Sequence, residues 1–129
     1  MTRAPVLALA MLGLTACGVA YRPLEFAGTT DDRAFEICLD VLRARFGRLE
    51  LTDREAFVLQ TGWIPIPGDG RVARRRATVF RSATDRFAVV VEESSLVGDV
   101  LGAPRWTAPR AQPSLEEELA SSIERALGA

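Results

Sequence analysis

The stretch Arg71-Val72-Ala73-Arg74-Arg75-Arg76-Ala77-Thr78-Val79-Phe80-Arg81-Ser82, joined through Ala83-Thr84-Asp85 to Arg86-Phe87-Ala88-Val89-Val90-Val91-Glu92-Glu93-Ser94-Ser95, decides the fold. Both halves are rich in β-branched and aromatic residues, which suit a pleated, half-buried surface, and the connection is of hairpin length. The two halves therefore pair antiparallel. Successive side chains of a strand point to opposite faces, so Phe87, Val89 and Val91 share one face while Ala88, Val90 and Glu92 share the other. On the neighbouring strand Ala77 and Val79 oppose Arg76, Thr78 and Phe80. Arg74 and Arg76 fall with Thr78, and Arg75 points away.

A sheet with an apolar face needs a cover. Upstream, Phe35, Cys38, Leu39, Leu42 and Phe46 recur every three or four residues, with Ile37 and Val41 widening the stripe and Arg33, Glu36, Asp40, Arg43 and Arg45 mostly opposite. Thr29 to Asp32 offer caps and negative charge at the start of this helix, and Gly47 offers a stop. Downstream, Leu115, Leu119, Ile123 and Leu127 make a second stripe, preceded by Ser114 and Glu117 in the spacing of a capping box. Between the first helix and the hairpin, Arg48 to Leu51 and Ala56 to Trp63 read as two short strands separated by a turn at Thr52 to Glu55. Ile64 to Gly70 and Leu96 to Pro113, with their prolines and glycines, read as loops. The expected fold is α+β: an N-terminal helix, a three- to four-stranded antiparallel sheet and a C-terminal helix, with both helices packed on one sheet face.

The chain opens differently. Arg3 precedes an apolar run from Val6 to Leu14 that is too short to span a bilayer and has the layout of an export signal. Leu14-Thr15-Ala16-Cys17 follows, and it resembles the lipobox of bacterial lipoproteins at all four positions. That resemblance implies cleavage before Cys17 and acylation of its thiol. Two or three acyl chains, at roughly 0.8 kcal/mol per buried methylene, hold a protein firmly on a membrane. The expected organisation is a signal peptide over residues 1–16, a lipidated tether over 17–28 and one domain over 29–129. Gly18 stands where an aspartate retains many lipoproteins in the inner membrane, so the resemblance favours the outer membrane, facing the periplasm. The competing reading is an ordinary secretory signal with Cys17 incidental.

Composition narrows the chemistry. The precursor carries 16 basic and 17 acidic residues, and loss of Arg3 leaves 15 against 17, a net charge near −2 that does not suit a bulk polyanion binder. Every basic side chain is arginine, and the chain contains no lysine, asparagine or histidine. Without histidine, and with Cys38 as the one cysteine left if Cys17 is acylated, the usual metal, haem and His-based triad sets cannot be assembled from this chain. No metal site, cofactor or catalytic residue is expected, and the protein reads as a non-enzyme. Asp53 with Glu55, and Glu92 with Glu93, are the remaining carboxylate pairs; the first sits in a turn, and the second points to opposite faces of a strand. Cys38 lies within an apolar stripe and is expected to be a buried thiol; a bridge to Cys17 competes if lipidation fails.

The dense charge feature is Arg74, Arg75 and Arg76, with Arg71 before them and Arg81 after. Its plain reading is a solvated sheet face or edge. Its functional reading is an anion or partner contact through guanidinium forks, to an envelope protein or an anionic lipid. Nucleic acid is excluded as a partner by export and by the absence of aromatic residues interleaved with the arginines. Trp63 and Trp106, each near prolines, read as core caps or partner anchors.

The order helix, Leu49 strand, Thr52-Asp53-Arg54, Leu59-Gln60-Thr61-Gly62-Trp63, Arg74-Arg75-Arg76 strand, and Phe87 to Val91 resembles the helix-grip domains of BamC-like lipoproteins, accessories of the outer-membrane β-barrel assembly machinery. The resemblance covers about half of the chain after Cys17 and departs from that family in having one domain. It implies a fold and an accessory role, and no binding residue. The function expected is a membrane-anchored binding or scaffolding module in outer-membrane assembly. A small-lipid or ligand carrier with a cavity between helix and sheet, and an accessory of lipopolysaccharide transport, are the alternatives.

Overall fold

The computed structural model describes residues 21–26, 28–68, 70–98 and 101–128. Along the chain lie β1 (Arg22–Leu24), α1 (Asp31–Phe46), β2 (Leu49–Asp53), β3 (Val58–Thr61), β4 (Ile64–Ile66), β5 (Ala73–Ala83), β6 (Arg86–Val97), β7 (Arg105–Trp106), β8 (Arg110–Ala111) and α2 (Pro113–Gly128). The class is α+β, but the sheet has eight strands rather than three or four. All its pairings are antiparallel.

The β5–β6 hairpin is the spine. Its register pairs Val79 with Val89 and Ala77 with Val91, and it closes through Thr84 and Asp85, with Asp85 at a φ of 59°. Aspartate tolerates that left-handed conformation because its short polar side chain bonds locally. One edge of the spine carries β3 and then β4, and β2 pairs outside β3. The other edge carries β1 against Phe87 to Val89, β8 against Glu92 and Glu93, and β7 against Leu96 and Val97.

The additional strands come from segments read as tether or loop. Residues Arg22 to Leu24, within the expected tether, join the sheet because Leu24 seats in the core opposite Phe87 and Arg22 finds two carboxylates on α2. Ile64 to Ile66 pair with β5 despite Pro65, because the strand lies at the sheet edge, where a missing N–H need not break a ladder. The proline-rich return after β6 forms two short strands, anchored where Ser94 donates its hydroxyl to the Thr107 carbonyl at 2.7 Å and Gln112 N–H donates to the Val91 carbonyl at 2.8 Å.

Both helices pack on the face that carries Leu59, Ala77, Val79, Phe87, Val89 and Val91. From α1 come Phe35, Cys38 and Leu42, and from α2 Leu119, Ala120 and Ile123. Thr30 caps α1 by accepting the Arg33 N–H at 3.3 Å, and Gly47 ends it at a φ of 84° while donating to the Arg43 carbonyl. The second helix starts two residues earlier than its capping box predicts, at Pro113 rather than Leu115. Proline at a first helical position has its φ preset and lacks only an N–H that would be orphaned anyway. Glu117 is thereby freed to pair with Arg22.

Phe57 closes one end of the core from a turn, at a φ of 55°. A bulky residue there costs about 1–2 kcal/mol. It is offset by burial of the ring among Phe26, Phe35 and Phe87, at centroid distances of 5.6, 5.4 and 4.7 Å.

Candidate functional site

The face of the sheet opposite the helices carries Arg74 and Arg76. Among the described residues no helix packs on it. Between β3 and β4 the chain breaks step at Gly62 and Trp63, and the ladder gap is bridged by buried Thr61, whose hydroxyl accepts the Ala77 N–H at 3.0 Å. The break delivers the Trp63 ring beside Arg74 and Arg76, each with its guanidinium carbon 4.4 Å from the ring centroid. From the other edge, β7 delivers Trp106, whose ring centroid lies 3.9 Å from the Arg74 guanidinium. Arg74 is thus in contact with two indoles supplied by segments 43 residues apart in sequence (63 and 106).

The two arginines differ in their charge partners. Arg76 pairs with Glu92 across the hairpin at 3.1 Å, and Arg74 makes no ion pair among the described residues. Their Nε atoms are buried against the rings without a hydrogen-bond acceptor among the described residues. A guanidinium over an indole gains about 0.5–2 kcal/mol, more as water is excluded, and remains able to offer its outward N–H groups to an anion. The arrangement therefore presents a fixed, half-buried cation at Arg74 beside the Arg76–Glu92 pair.

The other two predicted arginines stand elsewhere. Arg75 projects to the helix side and binds Glu93 at 2.6 Å. Arg81 lies on that side too, paired with Asp31 at 2.8 Å and set 5.2 Å from the Phe87 ring centroid. The run of arginines thus divides into an open pair and two structural ties. Alternation already separates Arg75 from Arg74 and Arg76. The tryptophans were missed as partners because their approach depends on the β3–β4 break and on the return of the chain along β6. Cys17 lies outside the described residues.

Among the described residues, two buried ionisable groups lie away from this face. Cys38 is a free thiol with no exposed surface, and burial pushes its pKa up to about 12, so it is an inert packing element. Glu116 is buried in the first turn of α2, where one carboxylate oxygen accepts the Val91 N–H at 3.0 Å. Its pKa is raised, chiefly by desolvation, with the Val91 N–H working against the shift and Glu92 adding to it. The described residues contain no cluster of three or more His, Cys, Asp or Glu able to hold a metal ion, and no helix long and apolar enough to cross a membrane.

The fold and site define a helix-backed antiparallel sheet with an arginine–tryptophan surface on its other face. No protein-family model matches the chain, and no curated protein matches it in sequence.

Proposed function

We propose that this chain is a membrane-anchored lipoprotein of the cell envelope, most consistent with the outer membrane facing the periplasm, whose non-enzymatic domain binds or scaffolds another envelope component. The observation that carries the binding role is Arg74, held between Trp63 and Trp106 with no ion-pair partner among the described residues. Its ligand is an anionic group on an envelope protein or a lipid. The anchor rests on Leu14-Thr15-Ala16-Cys17. The accessory role in outer-membrane assembly rests on the sequence resemblance to BamC-like domains.

The carrier alternative needs room between helices and sheet. Leu42, Leu59, Val79, Leu119 and Ile123 fill that space with no exposed surface, which argues against it.

The test has two arms. Mass spectrometry of the membrane-extracted protein should find acyl chains on Cys17, lost in Cys17→Ala together with membrane attachment; an unmodified wild-type thiol sinks the anchor. Photo-crosslinking from position 63 in intact cells should trap one partner, and Arg74→Glu should abolish the product. An unchanged crosslink would return the arginines to a solvated face.

A further inference from the structure

The direction of β1 and the apolar end of the hairpin point to one end of the molecule. Because β1 is antiparallel to β6, with Leu24 opposite Phe87 and Arg22 opposite Val89, the chain that precedes Arg22 leaves toward the end of β6. At that end lie Val72, Val97, Leu101 and Trp106, four of the six large hydrophobic side chains that the described surface exposes. They share that end, Val97 on the helix side of the sheet and Val72 and Trp106 on the other, because Leu96 pairs with Trp106, Val97 pairs with Arg105, and Leu96 N–H donates to the Val72 carbonyl at 2.8 Å. Leu101, in the β6–β7 connection, is 98% exposed. An isolated exposed leucine is ordinary, whereas four such groups at one tip, rimmed by Arg71 and Arg105, form a surface suited to an interface.

Covalent reach then decides what meets this tip. From Cys17 to Arg22 the backbone spans five residues, at most about 18 Å when fully extended. From Val89, opposite Arg22, to Val97 the strand runs eight residues, about 26 Å at the usual rise. A domain hung from an acylated Cys17 with its strands upright therefore carries its tip past the anchor point by at least about 8 Å, within the roughly 5–10 Å to which interfacial helices bury their apolar face when the tether is extended. Arg71 and Arg105 reach back to headgroup phosphates along their aliphatic stems, and an indole such as Trp106 partitions to the same level. The apolar side chains supply the attraction and the arginines orient it.

We infer that the tip formed by Val72, Val97, Leu101 and Trp106 seats in the headgroup layer of the same bilayer that holds the acyl anchor, so that the domain stands on the membrane rather than swinging above it. The inference rests on the lipoprotein reading, and its test separates the two. The full chain bearing Leu101→Cys is extracted from membranes, labelled with an environment-sensitive fluorophore and reconstituted into vesicles of phosphatidylethanolamine and phosphatidylglycerol. Buried Cys38 stays unlabelled, and Ala44→Cys on the exposed side of α1 is the control. The probe at position 101 should emit to the blue of the control and be quenched severalfold less by aqueous iodide. Acylated protein with equally quenched probes overturns the seated tip and leaves the anchor standing. Absence of acyl mass overturns the anchor alone; the probe is then read in Leu101→Cys carrying Cys17→Ser, so that no second thiol takes label, and a protected probe at 101 still assigns the tip to the headgroup layer.

Discussion

The two faces of one strand behave as different materials. On its helix side β5 presents Ala77 and Val79, fully buried, whose position is fixed by close packing against valines of β6 and leucines of the helices. On its other side the same strand presents Arg74 and Arg76, fixed by stacking on indoles that arrive from two separate edges. The first face owes its order to removal of apolar surface from water; the second combines modest stabilisation with retained charge. A surface built only for solubility has no need of the second arrangement, because freely hydrated arginines would serve it.

The comparison predicts opposite balances of stability and binding. Leu59→Ala, in the packed face, should cost about 2–5 kcal/mol through lost burial and the cavity left behind. Its denaturant midpoint should fall sharply while crosslinking from position 63 persists in whatever fraction remains folded. A loss below 1 kcal/mol, read from the same denaturation curves, would mean that the core repacks and that the contrast between the faces is overstated.

Arg22 tests whether the short first strand belongs to the packed side. It donates to Glu124 at 2.7 and 2.9 Å and to Glu117 at 3.0 Å, and Glu124 also accepts the Glu25 N–H. Those bonds, to Glu124 first, raise the arginine's pKa further, and the same guanidinium lowers that of Glu117. Arg22→Ala should cost about 1.5–3 kcal/mol, the range for hydrogen bonds to charged groups. Amide exchange at Arg22 and Leu24 should accelerate more than in β5. Uniform acceleration would show that β1 unfolds only with the whole domain.

The difference between the faces also explains what could be read from the chain. Burial writes periodicity into sequence, so both helical stripes and the alternation of the hairpin were legible, and so was Gly47 as a stop. Three-residue strands at the edges were not, because Arg22-Pro23-Leu24 and Ile64-Pro65-Ile66 are too short to show a period and each contains a proline. Half of the site was legible as well, since alternation alone puts Arg74 and Arg76 together. Trp63 and Trp106 gave no local signal of meeting them, as their meeting depends on where a loop of little regularity returns.

Arg74→Ala probes the stacked face by itself. Loss of its contacts with two indoles should cost about 1 kcal/mol of stability, within the range for such contacts at partly exposed sites. The crosslink from position 63 should disappear. Arg75→Ala, removed from the helix side of the same strand, should leave the crosslink intact while losing the pair with Glu93. Equal loss of the crosslink in both variants would mean that strand geometry, rather than the Arg74 cation, is being read.

The smallest change bears on the packed face, through its buried carboxylate. Glu116 binds a proton more tightly in the folded chain than in the unfolded one, because burial disfavours its charge. Its contribution to stability is therefore full below the ordinary glutamate range and is lost as pH rises through that range to the raised folded value. Glu116→Gln keeps an oxygen to accept the Val91 N–H and carries no charge at any pH. Denaturant midpoints taken from about pH 4 to about pH 7, across and above the ordinary glutamate range, should show the variant gaining on the parent protein as pH rises. Parallel profiles would place the charge of Glu116 in contact with water, and would make the end of the core beside α2 wetter than the fully buried residues around it imply.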